Sequence, residues 1–335
     1  MSLKFLEKNA SFSASVITLA ILLLLRFTIP EYSQLIYLIL FYIALGLSYN
    51  VFQGFTNYVC FGYAVFIAMG SYAEALIFKL LANPSISINP FVVVVIGLGL
   101  AVVFSVGIGL VVGAIALRLR EAYFAIATIG LAQGMRFLIE GFKLWGGSEG
   151  LIISRNIIDT YGSSWLSTIS TDYADMITFF AAILSIIVTY LLMNSKAGYA
   201  LQAVREDEDL AKSLGINPVK YKLLAFLLSA ILISLVGAGK LLKDQAVFPA
   251  NAFSLTFTLE AIVITLIGGM GTLLGPFLAG ILYAMLKYYL TTLIPGFQLL
   301  IMAPIVIAVV ELFPRGIVGW IKSKFKGTLI DRLLK

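Results

Sequence analysis

An all-α, polytopic bundle of membrane-spanning helices, with about ten spans, is the fold class the chain predicts. Three observations lead there. Hydrophobic residues make up 61% of the 335 residues and charged residues only 12%, whereas a soluble domain is nearer half apolar and a quarter charged. The apolar runs are continuous rather than alternating, which favours helices over an outer-membrane barrel. Lysine and arginine concentrate in a few separated places, as the positive-inside rule requires of cytoplasmic loops. The net charge of +6 is therefore read by position and not as a sign of nucleic-acid binding. The chain is expected to be one transmembrane domain over residues 1–335, with a charged loop at 194–222 and a basic tail at 314–335.

In chain order, Lys4 and Lys8 precede an apolar run from Ala14 to Ile29. No small-x-small cleavage site follows, so the run reads as a retained span rather than a signal peptide. Leu35 to Phe52 and Tyr58 to Phe78 form the second and third spans. Asn83, Pro84 and Pro90 mark a loop. Phe91 to Leu117 is the fourth span, with Gly109-x-x-x-Gly113 as a helix-packing motif. Arg118-Leu119-Arg120 closes it. Ala122 to Ile139 is a fifth, less apolar span holding Thr128, Gln133 and Arg136, and Glu140 to Asp172 is a polar segment rich in Gly and Ser. Ala174 to Met193 and Leu223 to Leu242 are the sixth and seventh spans, and Lys243 to Thr258 is a loop. Leu259 to Leu293 must cross twice to keep the basic tail (Arg315, Lys322, Lys324, Lys326, Arg332) on the cytoplasmic side. Two crossings there leave about 17 residues each, the short limit for a bilayer. The break falls at Gly268-Gly269-Met270-Gly271 and Gly275-Pro276, and broken helices at membrane depth usually line a cavity. Leu299 to Phe313 is the last span. Both termini are then cytoplasmic.

The most charged piece, Val204 to Tyr221, lies between two apolar runs and must sit in water. Arg205 to Leu214 has no Gly or Pro and predicts one short helix. Glu206, Asp207, Glu208 and Asp209 near its start and Lys212 near its end suit the helix dipole. Gly215 ends it and Pro218 keeps it from resuming. From charge alone this is either a solvated loop or a docking helix for a partner.

Several function classes are excluded. The chain has no histidine and one cysteine, Cys60, so imidazole metal sites, histidine proton relays and Ser-His-Asp catalysis are absent. Gly237-Ala238-Gly239-Lys240 lacks the earlier glycine and the following Ser/Thr of a nucleotide-binding loop. No metal, cofactor or covalent chemistry is expected of the chain itself. Arg136 and Glu260 are the charges hardest to explain: intramembrane charges face a bundle interior or water, or else snorkel from the span ends. Asn50, Gln53, Thr56 and Asn57 suit either a tight turn or a substrate path. Gly268, Gly269 and Gly271 suit a hinge or gate, or close packing.

A series of motifs over residues 35 to 320 resembles the M-type permease subunit of branched-chain amino-acid ABC transporters. It comprises Asn50-x-x-x-Gly54 with Gly62 and Gly70-Ser71-Tyr72, then Arg118-Leu119-Arg120-x-x-Tyr123-Phe124-Ala125-Ile126-x-Thr128, then Gly146-Gly147-Ser148-Glu149-Gly150-Leu151. Arg205-Glu206-Asp207-Glu208 through Leu214-Gly215-Ile216-Asn217 follows, then Ile267-Gly268-Gly269-Met270-Gly271-Thr272 and Phe313-Pro314-Arg315-Gly316. The chain departs from the family at Asn57-Tyr58, where Gly-Gln is usual, at Tyr63, where His is usual, and at Trp145, where Thr is common. The resemblance implies a plasma-membrane ABC importer subunit for branched-chain or other hydrophobic amino acids. Its implied partners are ATPase subunits, a second homologous permease, an extracytoplasmic substrate-binding protein and membrane lipid. It also implies that Asp209-Leu210-Ala211-x-x-x-Gly215 is a cytoplasmic coupling helix, so Arg205, Glu206, Asp207, Glu208, Asp209, Ala211 and Gly215 are the expected ATPase-coupling residues. Translocation-path candidates are Asn50, Gly54, Asn57, Thr128, Gln133, Arg136, Glu260, Gly268, Gly269 and Gly271. A urea or short-chain amide permease shares much of this pattern, and an ion-coupled secondary transporter is the alternative from another class.

Overall fold

The computed structural model describes residues 3–82 and 88–293, with Pro304, Glu311, Gly316 and Gly319, and side chains from Ala10 onward. The chain builds α1 (Leu3–Thr28), α2 (Ser33–Thr56), α3 (Ala64–Leu81), α4 (Pro90–Ala116) and α5 (Glu121–Gly141). Next come β1 (Leu151–Ile152), α6 (Ser154–Tyr161), α7 (Ser163–Thr168), α8 (Ala174–Met193), α9 (Lys196–Glu206) and α10 (Glu208–Ser213). Then follow α11 (Pro218–Asp244), β2 (Ala246–Val247), α12 (Pro249–Ala252), α13 (Leu255–Gly268) and α14 (Leu274–Leu293). Among the described residues, eight helical segments are long and apolar enough to cross a membrane. α14 is not one of the eight; it runs 20 residues and carries Lys287. The expected last span, Leu299 to Phe313, and the basic tail lie outside the described residues, as does the loop at Asn83 and Pro84.

α2 is the axis of the bundle. It is apolar all round, which suits a helix buried on every side, and nearly every residue from Leu35 to Thr56 is buried. α8, α11, α13 and α14 pack around it, and α3 lies against α11 and α4. Water cannot drive helix association in hydrocarbon, so close backbone approach matters more. A Cβ on Gly70 would strike the Ser234 carbonyl, and one on Gly237 would strike the Ile67 carbonyl. These contacts set α3 and α11 side by side. Gly109 and Gly113 face Leu227 and Leu223 of α11, so that motif packs helices as expected. Gly237, in the false nucleotide loop, is likewise a packing residue.

α1 runs antiparallel to α8, with Phe12 stacked on Tyr190 at one end and Arg26 paired to Asp172 (2.7 Å) and Asp175 (2.6 Å) at the other. The two ends of the bundle differ. One carries the elbow of α9 and α10. The other carries the antiparallel pair β1–β2, with Leu151 opposite Val247, and the short helices α6, α7 and α12.

Three expectations need correcting. Residues 205–214 are not one helix, because α9 stops at Glu206 and α10 starts at Glu208. The Asp207 carboxylate accepts hydrogen bonds from the Asp209 and Leu210 amides, both at 2.9 Å, and capping side chains start a helix anew. Second, the polar segment Glu140 to Asp172, expected without helices of its own, carries α6 and α7, and one π-turn at Ile169–Tyr173 joins α7 to α8. Third, α13 begins at Leu255, inside the expected 243–258 loop, where Ser254 caps it through the Thr256 amide. The glycine break in 259–293 falls where expected, between Gly268 and Leu274.

Gly237→Val tests the α3–α11 packing. A side chain there must displace backbone, and overpacking costs about 1–3 kcal/mol. The thermal midpoint in detergent should fall clearly below that of Gly107→Ala, whose site has open space. Equal midpoints would contradict the packing.

Candidate functional site

The elbow is built from local capping. Ser195 accepts from the Gly198 amide and opens α9. Asp207 ends α9 through its own amide, which donates to the Ala203 carbonyl, while its carboxylate opens α10. Gly215 takes φ +82°, and the Ile216 amide returns to the Ala211 carbonyl at 3.1 Å. This is a glycine-terminated helix end of the Schellman type. Asn217 then caps α11 through the Lys220 amide, with Pro218 in its first turn.

The inner face of the elbow is tied to the bundle at two points. Arg205 Nη1 donates to the Gly54 carbonyl at 2.7 Å, at the end of α2. Glu208 Oε2 accepts from the Tyr58 hydroxyl at 2.8 Å and from Lys222 Nζ at 3.1 Å. Lys222 is buried (1% exposed) and also contacts the Tyr58 ring. Burial opposes charge on Glu208, but the hydrogen bonds from Tyr58 and Lys222 outweigh it and hold this carboxyl below its usual range. Ala211 also faces inward, at 1% exposure, whereas Leu210 and Leu214 are 59% and 72% exposed. The outward face of α10 is therefore Leu210, Asp209, Ser213 and Leu214 rather than Ala211. Glu206 lines a cleft of about 430 Å³ with Gly54, Tyr199, Gln202, Arg205 and Gly271.

Asn50 joins α2 to the glycine break. Its Nδ2 donates to the Thr272 carbonyl at 2.9 Å and its Oδ1 accepts from the Gly271 amide at 2.9 Å. Gly54 has no room for a Cβ against the Asn50 amide and the Gly271 nitrogen, and Gly268 has none against Gly275. Gly269 and Gly271 take φ +109° and +75°, conformations that favour glycine. Gly316 packs on Gly269. The Asn50, Gly54, Gly268, Gly269 and Gly271 candidates thus form one cluster beneath α9.

Asn57 ends α2 in the left-handed region (φ 62°) and is exposed. The chain then returns through 57–63 into the bundle before α3 starts. Its backbone is satisfied by side chains, as a buried irregular segment requires. The Tyr49 hydroxyl bonds both the amide and the carbonyl of Cys60 (3.1 and 3.2 Å). Thr128 accepts from the Phe61 amide at 3.1 Å, and Thr258 accepts from the Ala64 amide at 3.1 Å. Thr128 therefore holds the backbone at the mouth of α3. Tyr63 sits among Ser229 and Ser48: Ser229 donates to the Ser48 carbonyl at 2.7 Å and lies 2.9 Å from the Tyr63 hydroxyl.

The remaining candidates separate. Gln133 is exposed on α5. Arg136 is one-third exposed and pairs with Glu140 on its own helix at 2.8 Å. Glu260 is buried and pairs with Lys287 of α14 at 2.5 Å, with the Tyr42 hydroxyl at 3.2 Å. The sequence reading missed Lys287, whose signal was a lone lysine in the apolar run that pairs with the span of Glu260. It also missed Glu74, fully buried on α3 against Gly97, with no hydrogen-bond partner among the described residues.

The family described as branched-chain amino acid transport system / permease component matches residues 31–310. Among curated proteins, the chain is 29% identical over 269 residues to the high-affinity branched-chain amino acid transport system permease protein LivM of Salmonella typhimurium, covering 72% of this chain and 59% of that protein. It is 28% identical over 271 residues to the protein of the same name from Escherichia coli K12, covering 73% and 60%. A probable branched-chain amino acid transport permease protein LivH of Methanocaldococcus jannaschii is 33% identical over 156 residues, 43% of this chain and 49% of that one. The matched region thus spans about three-fifths of the two LivM proteins. No solved structure matches the chain.

The two intramembrane charges differ in a measurable way. Glu260→Ala leaves Lys287 without its counter-ion in the bundle and should cost on the order of 3 kcal/mol. Arg136→Gln removes an i,i+4 pair on one partly exposed helix face and should cost under about 1 kcal/mol. Unfolding in mixed micelles checks this; similar losses in the two variants would contradict the difference.

Proposed function

Because this chain belongs to the family of branched-chain amino acid transport system permease components, we propose that it is the membrane subunit of an ATP-binding-cassette importer for branched-chain or other hydrophobic amino acids. ATPase subunits would dock on the elbow, and a second, homologous permease would complete the membrane part. A substrate-binding protein would deliver the amino acid to the opposite end. In this reading the elbow end is cytoplasmic. Arg118, Arg120, Lys196, Lys212 and Lys220 lie there, as the positive-inside rule asks. A cytoplasmic N-terminus would accord with this reading, and the antiparallel run of α1 along α8 supports it. Gly316 packs beside Gly269, which supports the elbow side for that residue as well.

The observation that carries the proposal is the two-faced elbow. α10 and its capping residue present Leu210 and Leu214, four residues apart and hence on one face, to the surroundings. Its inner face is held by Glu208, and neighbouring Arg205 reaches the glycine cluster. A partner that shifts α10 would pull on Tyr58, on Lys222 and, through Arg205, on the turn between α13 and α14. ATP hydrolysis on the partner would reach the spans by this route. The chain performs no covalent step. Arg205, Asp207 and Glu208 thus transmit force, Asp209 and Gly215 shape the contact face, Ala211 packs it onto the bundle, and Glu206 borders the cleft behind it.

Leu210→Asp/Leu214→Asp tests this, because both side chains are exposed and the change leaves the bundle core intact. The variant should insert normally but lose ATPase association or substrate-stimulated ATP hydrolysis by more than about tenfold, the loss of one apolar anchor contact. Wild-type stimulation would show that α10 is only a solvated loop.

A further inference from the structure

Glu74 stands in α3 without a partner. Its side chain is fully buried, and neither carboxyl oxygen has a hydrogen-bond partner among the described residues. The other two buried acids among them, Asp175 and Glu260, each pair with a cation. The Glu74 carboxyl reaches α4 directly. A Cβ on Gly97 would strike Oε2, so the missing side chain is the notch that holds it. Val93, Val94 and Ala101 lie on the same buried face of α4. Both helices are long and apolar enough to cross a membrane. The charges on the elements packed around α3 are committed elsewhere. Lys79, on α3 itself, bonds the Leu144 carbonyl. Arg136 of α5 pairs with Glu140, and Arg155 of α6 with Asp159. Lys240 and Lys243 of α11 pair with Asp244 and Asp175, and Glu260 of α13 with Lys287. Glu121 of α5 and Lys220 and Lys222 of α11 lie at the elbow end. α4, α12 and both strands carry no charge. Tyr72 turns away, toward Trp145 and Phe253.

What the notch does offer is helix backbone. Past the first turn of a helix every amide is used within it, whereas each carbonyl keeps a second lone pair. The α4 surface at Gly97 therefore supplies acceptors and no donors. A carboxylate only accepts, so it gains nothing there, and an unpaired charge away from water is far costlier than a neutral group. A carboxylic acid can donate its O–H. We propose that Glu74 is a proton-binding site, and that the seam between α3 and α4 closes only on its protonated form. Opening the seam admits water, which hydrates the carboxyl and accepts its proton. Closing takes one proton back, and no other bond is made or broken. The closed seam thus binds one proton more than the open one, so falling pH favours closure and rising pH favours opening. Glutamine at this position has no proton to lose and keeps the seam closed at every pH. The inference does not rest on the importer reading, since the ligand is the proton and the joint lies between two helices of this chain.

The test reads the seam with a cysteine. Ala101, buried on α4 one turn from Gly97, is replaced by cysteine in a Cys60→Ser background, with Val94→Cys as a second reporter. The full chain, in membranes with its native partners, is treated with a small water-soluble thiol reagent over a range of pH. Each rate is divided by that of the same reporter carrying Glu74→Gln, which cancels the pH dependence of the thiol itself. The ratio should be close to one in acid and rise with pH, by up to about tenfold per pH unit for one linked proton. Glu74→Leu, also without a proton, should match Glu74→Gln and replaces it as the reference if that variant does not insert. A ratio that stays flat with pH for both reporters overturns the proposal. The infrared difference between the wild type and Glu74→Gln at neutral pH reads the proton itself. The carbonyl stretch of a neutral carboxylic acid is expected, and carboxylate bands in its place would overturn the proposal.

Discussion

The structure depends on one constraint: a backbone that leaves the helix inside the packed bundle must find its hydrogen bonds within the protein. An unpaired backbone group buried away from water costs several kcal/mol. The chain breaks twice within the bundle, at 57–63 and at 269–273, and both breaks are served by side chains from other helices. Tyr49, Thr128 and Thr258 serve the first, and Asn50 serves the second. Several of the buried polar side chains are thereby assigned to backbone. Residues such as Thr128 that look poised for a solute are holding a helix mouth open.

The same constraint links the breaks to the elbow. Asn50 and Gly54 lie one turn apart near the end of α2, so a residue that satisfies the Gly271 amide sits beside the carbonyl that Arg205 grips. Tyr58, in the first break, is a donor to Glu208 of α10. Two irregular segments and one exterior helix therefore share a small set of hydrogen bonds. Glycine makes this possible, since Gly268 and Gly275 touch through backbone and Gly271 adopts a conformation that other residues avoid. Arg205 and Glu208 thus join the elbow to the two breaks through one hydrogen bond each, to the Gly54 carbonyl and from the Tyr58 hydroxyl.

Most of the spans were legible because a span must be both long and apolar, and water-soluble segments seldom keep such a run unbroken. The glycine break was legible because Gly268-Gly269-Met270-Gly271 and Gly275-Pro276 interrupt an otherwise apolar run. The end of α10 was legible from Gly215 and Pro218. The Asp207 break was not. Glu206-Asp207-Glu208-Asp209 reads as favourable charge at a helix start, and only the fold shows which carboxylate turns back to cap. The orientation of Ala211 was hidden for a related reason, since the six residues of α10 are too few for a periodicity. The pairing of Glu260 was half legible: the charge stood out, but Lys287 had to be brought from another helix. Residues 154–168 looked like a loop because short helices at an aqueous end need no apolar run.

The central claim is that Asn50 satisfies the broken backbone between α13 and α14 and is not a free polar group on a path. Native-state hydrogen exchange at the Gly271 amide, compared between the wild type and Asn50→Leu, tests it most directly. The account predicts a protected Gly271 amide in the wild type, although it lies outside any helix, and its exposure in the variant by about 1–3 kcal/mol of lost protection. Amides within α2 and α11 should keep theirs. Rapid exchange of Gly271 in the wild type, or unchanged protection in Asn50→Leu, would contradict the claim.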